Sequence, residues 1–102
     1  MPDKPAEDTL VQTARDGAVL TLTMNRPQAR NALSEGLMAA LQAALDAAAQ
    51  DPTTRVIIIA ANGPAFSAGH DLKEMTPHWQ DGDRGRQYYD RLMKQCARLM
   101  QT

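Results

Sequence analysis

The run Val56-Ile57-Ile58-Ile59-Ala60-Ala61 constrains this chain more than any other feature. Its four consecutive β-branched residues suit a pleated strand and lose rotamer freedom in a helix. The run does not alternate between apolar and polar. Both faces are therefore apolar, which predicts a strand buried on both sides, the usual situation in a parallel sheet.

A second strand precedes it. In Ala18 to Met24, Leu20, Leu22 and Met24 alternate with Val19, Thr21 and Thr23, a period of two with one strongly apolar face. Asp16-Gly17 before it signals a tight hairpin with a first segment over Thr9 to Ala14. Asn25-Arg26-Pro27 ends the strand, because proline brings no N–H to a ladder.

Between the strands, Leu33, Leu37, Leu41, Leu45 and Ala48 form an apolar helical stripe. Ser34 is placed to cap that helix, with Glu35 favourable in its first turn. Ala39, Ala40, Ala43, Ala44, Ala47 and Ala49 raise its helix propensity. Asp51-Pro52 stops it. Strand, helix and strand make a βαβ unit, with a right-handed crossover.

Downstream, Asn62-Gly63-Pro64 is a turn. Ala65 to Asp71 is a loop of small residues with Phe66 as its one large apolar anchor. Asp71 to Met75 predicts a short helical turn capped by Asp71 and ended by Pro77, with Glu74 solvated. Gln80 to Arg86 reads as a polar, mobile loop. From about Gln87, a final helix carries Tyr89, Leu92, Met93, Cys96, Leu99 and Met100 at helical spacing. It reaches Gln101-Thr102 still showing apolar residues, and nothing is in sight to cover the far side of Val56 to Ala61. The pattern suits the opening of a larger α/β domain.

Composition narrows the function. Of 102 residues, 11 are Lys or Arg and 12 are Asp or Glu, a net charge of −1. That balance argues against a broad electrostatic footprint for nucleic acid or an anionic membrane. The apolar fraction overstates the core, since 17 residues are alanine. A single cysteine, Cys96, excludes a disulfide framework or a cysteine-held metal, and its place on the last stripe makes it a small packing residue. No apolar run approaches the ~20 residues of a membrane span. Residues 1–8 are polar and acid-bearing, without the apolar core of a secretory signal, and read as a disordered terminus on a cytoplasmic protein.

The loop after the second strand of the βαβ unit carries the chemistry. Gly63-Pro64-Ala65-Phe66-Ser67-Ala68-Gly69-His70-Asp71-Leu72-Lys73 leaves the carboxyl end of a strand, where α/β proteins place ligands. Small residues at Ser67, Ala68 and Gly69 let a ligand approach the backbone. Backbone amides there are able to face an anion or a polarised carbonyl. Taken alone, the loop is also compatible with a simple tight turn.

Four blocks in order carry a resemblance: Asn25-Arg26-Pro27, Asn31-Ala32-Leu33, Ile57 to Ala60, and Phe66-Ser67-Ala68-Gly69-His70-Asp71-Leu72-Lys73-Glu74-Met75. Together they resemble the enoyl-CoA hydratase/isomerase family, the crotonase superfamily, over about Leu10 to Met100. The Ser-Ala-Gly-His-Asp-Leu form is similar to a subgroup of enoyl-CoA hydratase domain-containing proteins. The resemblance implies an α/β fold in which residues 9–102 are the N-terminal portion of a crotonase-like (ClpP/crotonase) ββα spiral, truncated.

It also implies a function: acyl-CoA thioester chemistry, of the lyase and isomerase kind found in fatty-acid metabolism. The backbone N–H of His70 corresponds to the first oxyanion-hole donor, the loop shape being set by Gly69. Backbone groups around Ala68 and Leu72, with Gly69 and Asp71, would line the CoA path. Lys73, Arg30 and Arg26 would offer cations to the CoA phosphates, although the family's basic residue more often falls near Gln28. Acyl-CoA is the substrate, and no other cofactor is implied. Family members are more than twice this length. Their second donor and their acid/base glutamates follow the segment present here, so the chain alone is expected to bind and not to hydrate. An acyl-CoA-binding module without catalysis, or a truncated chain without activity, are the alternatives. Exposed apolar faces imply a homo-oligomer or association with the missing C-terminal portion.

Other side chains invite chemistry less well. A catalytic imidazole at His70 competes with a side chain that only packs. His78 beside Trp79 reads as a surface pair. His70, Glu74 and His78 are spaced like metal ligands on a helix, but Pro77 interrupts that helix, so no metal is expected.

Overall fold

The computed structural model describes residues 9–102. The expectation for residues 1–8 lies outside them. Three strands form one sheet: β1 (Val11–Asp16), β2 (Val19–Met24) and β3 (Val56–Ala61), in that order. Helix α1 (Glu35–Ala49) connects β2 to β3. The short α2 (Leu72–Met75) and the long α3 (Arg86–Gln101) follow.

The hairpin pairs β1 and β2 antiparallel, with Asp16 opposite Val19. Its two-residue loop is thus Gly17-Ala18, one position later than the sequence suggests. Gly17 supplies the positive φ, 61°, that the turn requires. β2 then pairs with β3 in parallel, from Val19 opposite Val56 to Met24 opposite Ala61. Parallel pairing obliges the chain to travel back between the two strands, and α1 is that return.

The alternation in β2 has the expected meaning. Leu20, Leu22 and Met24 are buried, while Val19, Thr21 and Thr23 are half-buried. The main core joins Met24 to Leu37, Met38 and Leu41 of α1 and to Tyr88, Leu92 and Leu99 of α3. Burying a side chain such as Leu37 or Leu92 contributes roughly 2 kcal/mol. A smaller cluster of Leu20, Leu22 and Ala48 closes the other end of the sheet.

Local signals fix the helix starts. Ser34 has an extended backbone, and its hydroxyl accepts the Leu37 amide at 3.1 Å. Asp71 caps α2 by accepting the amides of Lys73 and Glu74. α3 lies along α1, held by Arg91 to Glu35, Arg98 to Asp46, and the Gln95 amide to the Glu35 carbonyl.

Four expectations change. β3 is not buried on both faces: Val56, Ile57, Ile58 and Ile59 are 37–50% exposed. It is the edge strand of this sheet, with no strand beyond it among the described residues. Phe66 is 59% exposed and is not a buried anchor of its loop. Pro77 does not end the helical path but sits in the first turn of a 3₁₀ helix, Thr76–Gln80, where a missing N–H costs little. On α3 the buried aromatic is Tyr88, whereas Tyr89 is half-buried and Met93 and Met100 are exposed. The inward face is narrower than the apolar stripe.

Candidate functional site

Parallel pairing brings two loops to the same end of the sheet. Residues 25–34 leave the end of β2 and residues 62–71 leave the end of β3. Asn62 donates its amide to the Met24 carbonyl at 2.9 Å as the second loop begins.

The loops are then fastened rung by rung. Ala68 N–H donates to the Arg30 carbonyl at 3.0 Å. Leu33 N–H donates to the Gly69 carbonyl at 2.6 Å, and Asp71 N–H to the Leu33 carbonyl at 3.1 Å. The Ser67 hydroxyl donates to the Asn31 carbonyl at 2.9 Å. Leu33 and His70 form an isolated parallel bridge. In such a bridge the flanking groups, Gly69 C=O and Asp71 N–H, face Leu33. The N–H and C=O of His70 itself face the opposite side.

Gly69 has φ of 94°, a region that disfavours other residues, and a Cβ there would meet no atom within 4 Å. The glycine is needed for its backbone angle and not for space. The imidazole of His70 is partly exposed. Its Nδ1 is buried and has no hydrogen-bond partner among the described residues.

Behind the loop lies a polar brace. Asn31 is fully buried, with φ of 53°. Its carboxamide nitrogen donates to the carbonyls of Asn62 at 2.8 Å and Ala65 at 2.9 Å. Its oxygen accepts the Arg26 amide at 2.8 Å. The Arg26 guanidinium pairs with Asp71 at 2.7 Å and donates to the Ala32 carbonyl at 3.0 Å. Burial of Asp71 pushes its carboxyl up. The hydrogen bond and charge of Arg26, with the amides of Glu74 and Lys73, outweigh burial and hold it below the usual carboxylate range.

Arg26 is therefore committed inside the protein, and is not the exposed cation the sequence suggested. Glu74 is also reassigned. Its carboxylate accepts the Glu35 amide at 2.8 Å, so it caps α1 from another element. Arg30, Ala68, Gly69, Leu72 and Lys73 are all exposed around the loop. Leu72 is 69% exposed.

The His70, Glu74 and His78 set does not converge. Glu74 serves α1, and His78 Nδ1 lies 2.7 Å from Asp81 while its ring stacks on Tyr88 at 3.5 Å. Among the described residues no group of three or more His, Cys, Asp or Glu is arranged to hold a metal. Among the described residues no helix is long and apolar enough to cross a membrane.

The sequence reading missed Asn31 as the centre of this brace. The available signal was its type: asparagine tolerates left-handed backbone and carries both donor and acceptor. Beyond the loop, a cleft of about 440 Å³ runs between β3 and the helices, lined by Ile57, Ile59, Phe66, Ser67, Leu99 and Met100 among others.

Residues 14–99 match the Enoyl-CoA hydratase/isomerase family. The chain is 35% identical over 95 residues to rat (Rattus norvegicus) mitochondrial enoyl-CoA hydratase domain-containing protein 3, covering 93% of this chain and 30% of that protein. Its structure is similar to the crystal structure of an enoyl-CoA hydratase from Mycobacterium smegmatis, with a TM-score of 0.79 and 47% identity, over 89% of this chain and 34% of that one. It is similar also to human enoyl coenzyme A hydratase domain-containing protein 3, with a TM-score of 0.77 and 29% identity, over 90% of this chain and 34% of that one. The chain spans about a third of the length of these relatives and corresponds to their N-terminal portion.

Proposed function

This chain belongs to the enoyl-CoA hydratase/isomerase family, and from that premise we propose that its 65–71 loop binds the thioester of an acyl-CoA and supplies one oxyanion-hole donor, the backbone N–H of His70. The observation that carries the reading is the Leu33–His70 bridge. Leu33 occupies the groups on either side of His70, at Gly69 and Asp71. The His70 amide is turned outward on a loop braced against movement. A thioester oxygen gains negative charge as its carbonyl is attacked or enolised. A fixed amide dipole stabilises that charge without having to reorient, an effect worth about 3 kcal/mol per donor in a dry site.

The CoA portion runs along the exposed Ala68, Gly69 and Leu72 and past the buried Asp71 between them. Lys73 follows this path directly in sequence, and the Arg30 carbonyl accepts the Ala68 amide at 3.0 Å; their exposed side chains pair with CoA phosphates. The imidazole of His70 is not required for this role, since the donor is the main chain. By this reading the segment contributes binding and one donor. The second donor and the acid/base groups for hydration or isomerisation belong to the remaining portion of a polypeptide as long as the relatives.

Backbone amide spectra of the ¹⁵N-labelled chain, titrated with a saturated acyl-CoA, test the proposal. The His70 amide is expected to move most, with Ala68 and Leu72 following. An absence of binding, or binding that leaves the His70 amide unmoved, overturns it.

A further inference from the structure

We propose that Asn31 is a positioning residue for the His70 amide, acting through a carboxamide that locks both loops in one arrangement. The inference rests on the reading of His70 as a thioester donor and concerns what holds that donor in place.

Three facts converge on Asn31. Its side chain is fully enclosed, although asparagine is among the residues most often found at the surface. Each polar atom of the carboxamide is used: two donated bonds reach Asn62 and Ala65, and one accepted bond comes from Arg26. Its own carbonyl takes the Ser67 hydroxyl. Asn31 therefore touches the chain at the exit of β2, at the exit of β3, and in the middle of the loop that carries His70.

The backbone angle adds a second requirement. With φ of 53°, Asn31 follows Arg30 at 52°, so two successive non-glycine residues are left-handed. That pair reverses the chain so that the Arg30 carbonyl and the Leu33 amide both reach the other loop, at Ala68 and Gly69. An unbranched polar side chain that tolerates this angle, with both donors and an acceptor, fits the position. Loss of the carboxamide would leave the Asn62 and Ala65 carbonyls without these donors and free the segment between them. The His70 amide would still exist, but its direction would no longer be fixed, and a donor that must reorient stabilises developing charge less.

Asn31→Gly separates the two requirements, because glycine accepts the backbone angle and has no carboxamide. The probe is a four-carbon 2-enoyl-CoA labelled with ¹³C at its thioester carbonyl, with free CoA as the control ligand. On the unaltered chain the carbonyl stretch of the bound thioester is expected to fall to lower frequency. In Asn31→Gly that shift is expected to vanish, while free CoA still binds measurably. Amide exchange at Ala68 and Asp71 is expected to rise by about tenfold, as for a lost hydrogen bond, with β2 and β3 protection unchanged. Ser67→Ala removes two bonds from the loop side, one donated to the Asn31 carbonyl and one accepted from the Gly69 amide, without touching the core; it is expected to weaken the shift partially and serves where Asn31→Gly does not fold.

A full carbonyl shift in Asn31→Gly, or in Ser67→Ala where that variant alone folds, overturns the positioning role. If the unaltered chain binds free CoA but produces no carbonyl shift, the donor role of His70 fails instead, and the two results are distinguishable.

Discussion

The Arg26 guanidinium and the Asp71 carboxylate lie 2.7 Å apart, with side chains only 22% and 9% exposed. This ion pair joins the loop after β2 to the cap of α2, one residue beyond His70. Because the Asp71 carboxyl is held below its usual range, it stays ionised in the folded protein at a pH where the unfolded chain takes up a proton. Its contribution to stability is therefore complete above the unfolded value of about 3.9 and is lost as pH falls through the folded value. Urea midpoints followed by circular dichroism are expected to drop below about pH 4. Asp71→Asn should lower the midpoint at pH 7 and reduce the drop.

Gly69→Val is expected to abolish acyl-CoA binding, and His70→Ala to change it little. Valine at φ of 94° carries a backbone strain of about 1–3 kcal/mol. His70→Ala keeps the amide. Titration calorimetry with a saturated acyl-CoA separates them. A His70→Ala variant that no longer binds would show that the imidazole, and not the main chain, holds the ligand.

Ser34→Ala removes the hydroxyl that accepts the Leu37 amide. The expected loss of stability is about 1 kcal/mol, the ordinary cost of an N-cap. Thermal unfolding measures it. Ser34→Asp, which keeps an acceptor at a helix start, is expected to recover part of the loss.

Leu92→Ala cuts into the layer between α1 and α3, where Leu92 is 1% exposed. The expected cost is about 2–5 kcal/mol, large against the stability of a domain this small. Chemical denaturation should show a clearly lower midpoint or no folded baseline.

The exposed edge at β3 should promote association. Val56 and Ile58 occupy one face, and Ile57 and Ile59 line the cleft beside α3. Unpaired strand edges with apolar side chains recruit other strands. Sedimentation velocity is expected to show species larger than the monomer, reduced by Ile58→Lys. A purely monomeric chain at high concentration would count against this surface.

What the sequence revealed was mostly local. The period of two in Leu20, Leu22 and Met24, the Ser34 cap and the Asp71 cap each depend on residues a few positions apart, and each appears as expected. The four family blocks identified the fold because their order encodes a topology that no single block contains. The misreadings share a cause. Burial of Val56 to Ile59 depends on what packs against them. Glu74 serves the Glu35 amide, and Arg26 finds Asp71. Those partners are distant in sequence, and no local pattern announces them. Tyr88 replaced Tyr89 in the core because a shift of one residue turns a helical side chain by about 100°.

The register of Met24 against Ala61 sets where the two loops leave the sheet. The length of α1 does not enter that alignment, because the helix only has to return the chain. Insertions near residues 50–55 should therefore leave the site intact, absorbed as slack in the connection. One residue added inside β2 or β3 would offset the loops by a rung and turn the inward side chains outward. The protein can drift in the length of its crossover while its two strands stay counted to the residue, and a library of insertions scored for acyl-CoA binding would trace that boundary along the chain.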